Sequence, residues 1–170
     1  MKASLVYYDP TIWTHISNAC RVTQGSPLKK EVLVSEEFKR KLFTSEHSPI
    51  RLLVFGIQLF DIPSYVSVHL VRHNQGVQHF VESKRNAINP SDVNRLTEVD
   101  HLLWLNAQAL INISRKRLCS KSDKITKQVW KLALETIVPV EKELYSLCVP
   151  ECKYRGFCPE FSSCSKDVTC

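Results

Sequence analysis

Val71-Arg72-His73-Asn74-Gln75-Gly76-Val77-Gln78-His79-Phe80-Val81-Glu82-Ser83-Lys84-Arg85 is the stretch around which this chain is organised. It directly follows the most apolar part of the molecule, yet most of its own side chains ionise or hydrogen-bond. Polar side chains crowded at the exit of a buried element mark a site carried on a rigid scaffold, because a solvated surface needs no such support. Its cations and amides suit anionic ligands.

The residues before it explain the scaffold. Arg51 to Phe60 is dense in Leu, Val, Ile and Phe and too short for a helix assignment, so it reads as a largely buried strand. Asp61-Ile62-Pro63 opens a helix, with proline near its first position. Val66, His69, Leu70 and His73 follow at i, i+3, i+4 and i+7, which predicts His69 and His73 on the face that meets the core. Gly76 lets the chain turn, and His79 to Lys84 forms a strand or an irregular clasp.

Further out, Leu5 to Tyr8 reads as an opening strand and Thr11 to Ala19 as a short helix. Ser35 is placed to cap a helix with Glu36 and Glu37 in its first turn. Asn89-Pro90-Ser91-Asp92 reads as a loop and helix start. A long helix is expected from there to Leu118, with Val93, Leu96, Val99, Leu103, Ala107, Leu110 and Ile111 as its apolar stripe. A last helix is expected from about Asp123 to Leu147, kinked before Pro139.

The totals bound the function. A chain of 170 residues with 44% hydrophobic content makes one domain with a real core, residues 1–147, followed by a cysteine-rich tail, 148–170. No apolar run approaches a membrane span, and no signal segment opens the chain, so a soluble cytoplasmic protein without a membrane partner is expected. The net charge is +6, but the basic residues recur in short groups broken by acids. That favours a small phosphorylated ligand over nucleic acid. With only four glycines and no GxGxxG, P-loop or GxSxG motif, phosphate binding must rely on side chains and local backbone. Ser83, Lys84 and Arg85 suit such binding, since they set a hydroxyl beside two cations.

Taken singly these features have ordinary explanations: Arg72-His73 as a helix-end arginine and a core histidine, Arg115-Lys116-Arg117 as a solvated helix end, Asn106 and Asn112 as satisfied amides. Their order along the chain is more specific. Over roughly residues 45 to 135 the chain resembles the flavin-dependent thymidylate synthases, and is most similar to their short, phage-like branch. His47-Ser48-Pro49 is similar to the family's cofactor-touching His-x-x-Pro-type segment. Arg72-His73 and Ser83-x-Arg85 resemble the two ends of its Arg-His-Arg…Ser-x-Arg signature. Asn106-Ala107-x-Ala109-Leu110-x-Asn112-x-x-x-x-Arg117 resembles its Asn-Ala-x-x-Leu-x-Asn-x-x-x-x-Arg helix over twelve positions, the most specific match.

The resemblance implies an α+β fold: a single domain with a small, mostly antiparallel sheet packed with long helices. It implies a homotetramer with shared active sites and a synthesis of dTMP from dUMP, with methylene-tetrahydrofolate as carbon donor and NADPH-reduced FAD as hydride source. Ser48, Arg72, His73, Asn74, His79, Asn106 and Asn112 would face FAD; His69, Ser83, Arg85 and Arg117 would face dUMP; Arg72 and Arg117 would carry the catalytic charge. No enzyme nucleophile is needed, since flavin and folate carry the hard chemistry and the protein aligns and polarises.

The chain departs from that pattern at several places. Asn74 stands where the signature's second arginine belongs, and Gln75 to Glu82 is one residue longer than the family spacing. Arg51 replaces a usual acid, Gln108 an arginine, and the arginine expected upstream of the long helix has only Arg95 as a candidate. A divergent relative that binds a pyrimidine deoxynucleotide and flavin but performs another pyrimidine modification, or none, is therefore the alternative.

Cys119, two residues past Arg117, reads either as a thiol poised near a pyrimidine or as a small buried side chain. Five of the seven cysteines close the chain. Cys148, Cys152, Cys158 and Cys164 have a spacing open to Zn²⁺, an iron–sulfur cluster, disulfides or free thiols. A metal there, with the positive charge, defines a third reading: a basic nucleic-acid-binding module.

Overall fold

The computed structural model describes residues 1–85 and 93–164. The expected loop at Asn89–Asp92 and the last cysteine, Cys170, lie outside the described residues. Strand β1 (Lys2–Tyr8) leads through α1 (Ile12–Thr23) and α2 (Glu36–Thr44) to a short 3-10 helix, Ser48–Leu52, and then to β2 (Val54–Pro63). Helix α3 (Ser64–Val71), β3 (Val77–Val81), β4 (Glu98–Asn106) and α4 (Ala107–Arg117) follow. Helices α5 (Lys124–Glu135), α6 (Lys142–Leu147) and α7 (Glu151–Arg155) complete the described chain.

The strands form one antiparallel sheet in the order β1-β2-β4-β3. This is an α+β domain, as expected. β2 and β4 lie in the middle, and their inward rows, Phe55, Ile57 and Leu59 against Leu103 and Leu105, are almost completely shielded from water. Each such side chain contributes roughly 1.5–3 kcal/mol of burial. The helices close over this face, with Trp130, Ile16, Phe43 and Leu110 in the same core. Ser35 caps α2 as its sequence predicts, its hydroxyl accepting from the Phe38 amide at 3.1 Å. No helix among the described residues is long and apolar enough to cross a membrane.

The expected long helix up to Leu118 is corrected. Glu98–Asn106 is a strand, and only Ala107–Arg117 is helical. Val93 and Leu96, the first positions of the supposed apolar stripe, are exposed, whereas Val99, His101, Leu103 and Leu105 alternate inward. Period two won over period 3.6 because β2 on one side and β3 on the other supply ladder partners along this segment. The last helix is likewise two helices, α5 and α6, separated by a turn rather than a kink.

That turn carries a buried carboxylate. Glu141 accepts from Tyr8 Oη (2.7 Å), Trp13 Nε1 (2.5 Å) and Lys39 Nζ (3.0 Å), joining β1, α1 and α2 to the end of the α5 region. Burial, then the Glu141 carboxylate, drive the Tyr8 phenol well above its ordinary pKa. The network keeps the helical layer fixed against the sheet on which the site is built.

Candidate functional site

Helix α3 ends at Val71, with Arg72 as its C-cap and the His73 amide bonded to the Leu70 carbonyl at 2.9 Å. His73 is therefore outside the helix and does not share a face with His69, a second correction. The chain then turns at Gly76, whose φ of +73° lies in the left-handed region that glycine tolerates best. The Gly76 carbonyl accepts from the Asn106 amide at 3.0 Å, and the Asn106 side chain caps α4 by accepting from Ala109 N at 2.9 Å. The turn after α3 and the start of α4 are thus fastened together.

Two adjoining clefts open where they meet. One, of about 250 Å³, is walled by Arg72, His73, Asn74 and Gln75 from the turn and by Asn112 from α4. The other, of about 290 Å³, is walled by Arg51, Gln75, Gly76, Asn106, Gln108 and Asn112. Gln75 and Asn112 line both. Among the described residues no carboxylate lines either cleft, and one of them lies at the capped N-terminus of α4, where the helix dipole favours an anion. The donor set, guanidiniums and amides, fits a ligand rich in phosphate and carbonyl oxygens, as FAD is.

Behind these walls runs a chain of rings. Arg117 Nε donates to His73 Nε2 at 2.8 Å, and the Arg117 guanidinium also bonds the His69 carbonyl. His73 accepts at Nε2, so its proton sits on Nδ1. Burial, then the charge of Arg117, push its pKa down to about 4. His79 Nε2 donates to the His73 carbonyl at 2.8 Å, and its Nδ1 meets His101 Nε2 at 3.0 Å. In a neutral His79 ring that donation leaves Nδ1 as the acceptor, so His101 donates from Nε2 and its buried Nδ1 has no partner among the described residues. Burial and then His79 hold the His101 pKa at about 4. The line from His101 through His79 to the His73 backbone and on to Arg117 fixes the turn from behind.

Of the residues expected to face FAD, Arg72, His73, Asn74, Asn106 and Asn112 line the clefts. His79 supports them from the rear, and Ser48 is exposed at the start of the 3-10 helix, outside both clefts. On the nucleotide side, Arg117 backs His73. His69 turns away: its Nδ1 bonds Thr126 Oγ1 on α5 at 2.8 Å, which in turn donates to Asp123. Ser83 and Arg85 lie past the far end of β3. Val77 pairs with Leu105 beside Asn106, whereas Glu82 meets Asp100 at the other end of β4. At strand rise that separation is roughly 20 Å. Lys84, the second cation there, is taken up by Glu82 at 2.5 Å. One chain brings together the Arg72-His73 end and α4, but not the Ser83-x-Arg85 end.

Gln75, Gly76, Arg51 and Gln108 were not among the expected ligand residues, although Arg51 and Gln108 stood out as departures from the family pattern. The buried His101 gave no signal, because its segment reads as helix.

The cysteines do not form a metal centre among the described residues: nowhere do three His, Cys, Asp or Glu side chains gather closely enough. Cys148 and Cys152 are buried thiols, and Cys158 and Cys164 are partly exposed. Burial pushes the Cys148 thiol up to about 12, against the pull of Ser114 and Arg115, which suits a packed side chain rather than a thiolate ligand. The expected zinc or iron–sulfur site at Cys148, Cys152, Cys158 and Cys164 is therefore unsupported, and the nucleic-acid reading loses its metal module.

The fold is similar to that of solved flavin-dependent thymidylate synthases. Two solved structures of ThyX from Helicobacter pylori, each with FAD and dUMP, match it. One has a TM-score of 0.67 at 13% identity, covering 88% of this chain and 100% of that one. The other has a TM-score of 0.68 at 12% identity, covering 88% and 99%. The UMP/dUMP methylase PolB from Streptomyces cacaoi, bound with 5-Br dUMP, matches with a TM-score of 0.69 at 13% identity, covering 92% and 95%. No protein-family model matches the sequence, and no curated protein matches it.

Proposed function

We propose that this chain is a FAD-dependent thymidylate synthase, methylating dUMP to dTMP with methylene-tetrahydrofolate and NADPH as co-substrates, and working as a homotetramer with shared sites. The observation that carries the reading is the coincidence of fold and site. A fold matched over 88% of the chain by enzymes complexed with FAD and dUMP has Arg72, His73, Asn106 and Asn112 gathered at one double cleft.

Arg72, Asn106 and Asn112 hold the flavin side, and His73 offers its Nδ1–H there while Arg117 occupies its Nε2. FAD, when bound there and reduced, would supply the hydride. Arg117, partly desolvated by burial, stabilises negative charge on the pyrimidine as C6 is attacked. Ser83 and Arg85 bind the nucleotide phosphate. Their separation from the cleft within one chain, and the size of FAD relative to either cleft, support sites completed by a second subunit.

A second reading is favoured by the likeness to PolB, a UMP/dUMP methylase, together with Asn74 in place of an arginine: a relative that modifies another pyrimidine nucleotide. The purified tetramer should take up FAD, giving flavin absorption bands that dUMP perturbs. A response to UMP as strong as that to dUMP moves the assignment to the second reading. Protein that takes up no FAD refutes both.

A further inference from the structure

The C-terminal segment falls outside the family resemblance, yet it reaches the clefts through a continuous set of contacts. Helix α7 packs on α4. From it, the Tyr154 ring lies 3.7 Å from the centre of the Arg115 guanidinium, measured from the ring centroid. Arg115 forms a two-pronged ion pair with Glu46, one prong at 3.3 Å. Glu46 Oε2 also accepts from Gln108 Nε2 at 2.6 Å, and the same Gln108 amide donates to Asn112 Oδ1 at 3.2 Å. Asn112 lines both clefts.

Each link constrains the next. Burial raises the Glu46 carboxyl, but the bonds from Arg115 and Gln108 outweigh it and hold the group below the ordinary glutamate range, so it stays an acceptor. Glu46 reaches this position with a backbone φ of +48°, an uncommon conformation for a residue with a side chain, kept only where the surroundings impose it. Both hydrogens of the Gln108 amide are then committed. With Oδ1 turned toward Gln108, the Asn112 amide is fixed in one of its two flips, and its NH₂ group is the part left to address the cleft.

We propose that Tyr154, through Arg115, Glu46 and Gln108, is a positioning residue that sets the amide orientation of Asn112, making the cysteine-bearing tail a working part of the flavin-side cleft. The consequence for flavin rests on the function proposed above; the orientation of Asn112 does not. Gln108 and Arg115 act as one device, both bonded to Glu46, that passes the tail's hold to the cleft.

The test is a double-mutant cycle on the full-length tetramer. Tyr154→Ala should weaken FAD binding roughly three- to ten-fold, the loss of a partly exposed cation–π contact. Tyr154→Phe keeps the ring on Arg115 but loses the hydroxyl's hydrogen bond to Glu46, so it should restore only part of that loss, and Lys153→Ala, on the same helix, should change nothing. In an Asn112→Ala background, Tyr154→Ala should have no further effect, because coupled residues are not additive. In ligand-free protein, the Asn112 side-chain amide resonances, assigned by their loss in Asn112→Asp, should shift in Tyr154→Ala and not in Lys153→Ala. An unmoved Asn112 amide, or equal FAD losses with and without Asn112, overturns the proposal. Wild-type protein that binds no FAD refutes the flavin function, and the amide resonances then decide the positioning role by themselves.

Discussion

Replacing Gly76 by alanine tests the way the turn and α4 are joined. Two costs follow from the structure. The residue sits at φ +73°, where a Cβ costs roughly 1–2 kcal/mol. The added Cβ would also lie 2.7 Å from Asn106 Nδ2 and 2.9 Å from Asn106 Oδ1, so the Asn106 side chain must leave. Losing that N-cap removes about 1 kcal/mol more. Gly25 is the control: its φ is +64°, but nothing lies within 4 Å of an added Cβ. Gly25→Ala should therefore cost only the conformational part, and Gly76→Ala about 2–3 kcal/mol in total. Urea unfolding monitored by tryptophan fluorescence gives both values, and FAD titration shows whether the cleft suffers with the cap. If the two variants are equally stable and bind FAD alike, Asn106 does not join turn and helix as described.

The structure sets three other expectations. His101 is fully buried with a pKa near 4, below the ordinary histidine value, so the unfolded chain binds more protons as pH falls below about 6.5. Stability is full above that pH and falls toward pH 4. Between pH 7 and pH 5 the loss should be about 2 kcal/mol from His101 alone, with His73 acting in the same direction; a flat urea midpoint over that range contradicts the assigned neutral rings. Glu141→Ala strands Lys39, Trp13 Nε1 and Tyr8 Oη together. It should cost roughly 3–5 kcal/mol in the same unfolding assay, the penalty for breaking a buried charge pair. Arg117→Ala frees His73 Nε2 and should abolish dUMP binding by calorimetry while size-exclusion shows the same oligomeric state as wild type; unchanged dUMP affinity removes Arg117 from the nucleotide site.

Much of this architecture is written locally. Ser35 caps α2, Pro63 precedes α3, Gly76 makes the turn, and the Asn106–Arg117 pattern marks a helix whose N-cap is its own first asparagine. Glu98–Asn106 misleads because Val93, Leu96, Val99, Leu103 and Ala107 satisfy a helical period, while the strand's inward row includes His101, a polar residue whose burial depends on His79. That compensation comes from a strand some twenty residues away and leaves no local trace. His69 stands where sequence spacing puts a core-facing residue, but its partner is Thr126 on α5, again a tertiary choice. The relay from Tyr154 toward Asn112 is equally hidden, since Tyr154 and Glu46 reach α4 from distant parts of the chain.

The most direct test is release of tritium from the C5 position of labelled dUMP by the purified protein supplied with FAD, NADPH and methylene-tetrahydrofolate. The proposed function predicts FAD-dependent release matched by dTMP formation. No release from protein that has bound both FAD and dUMP contradicts it.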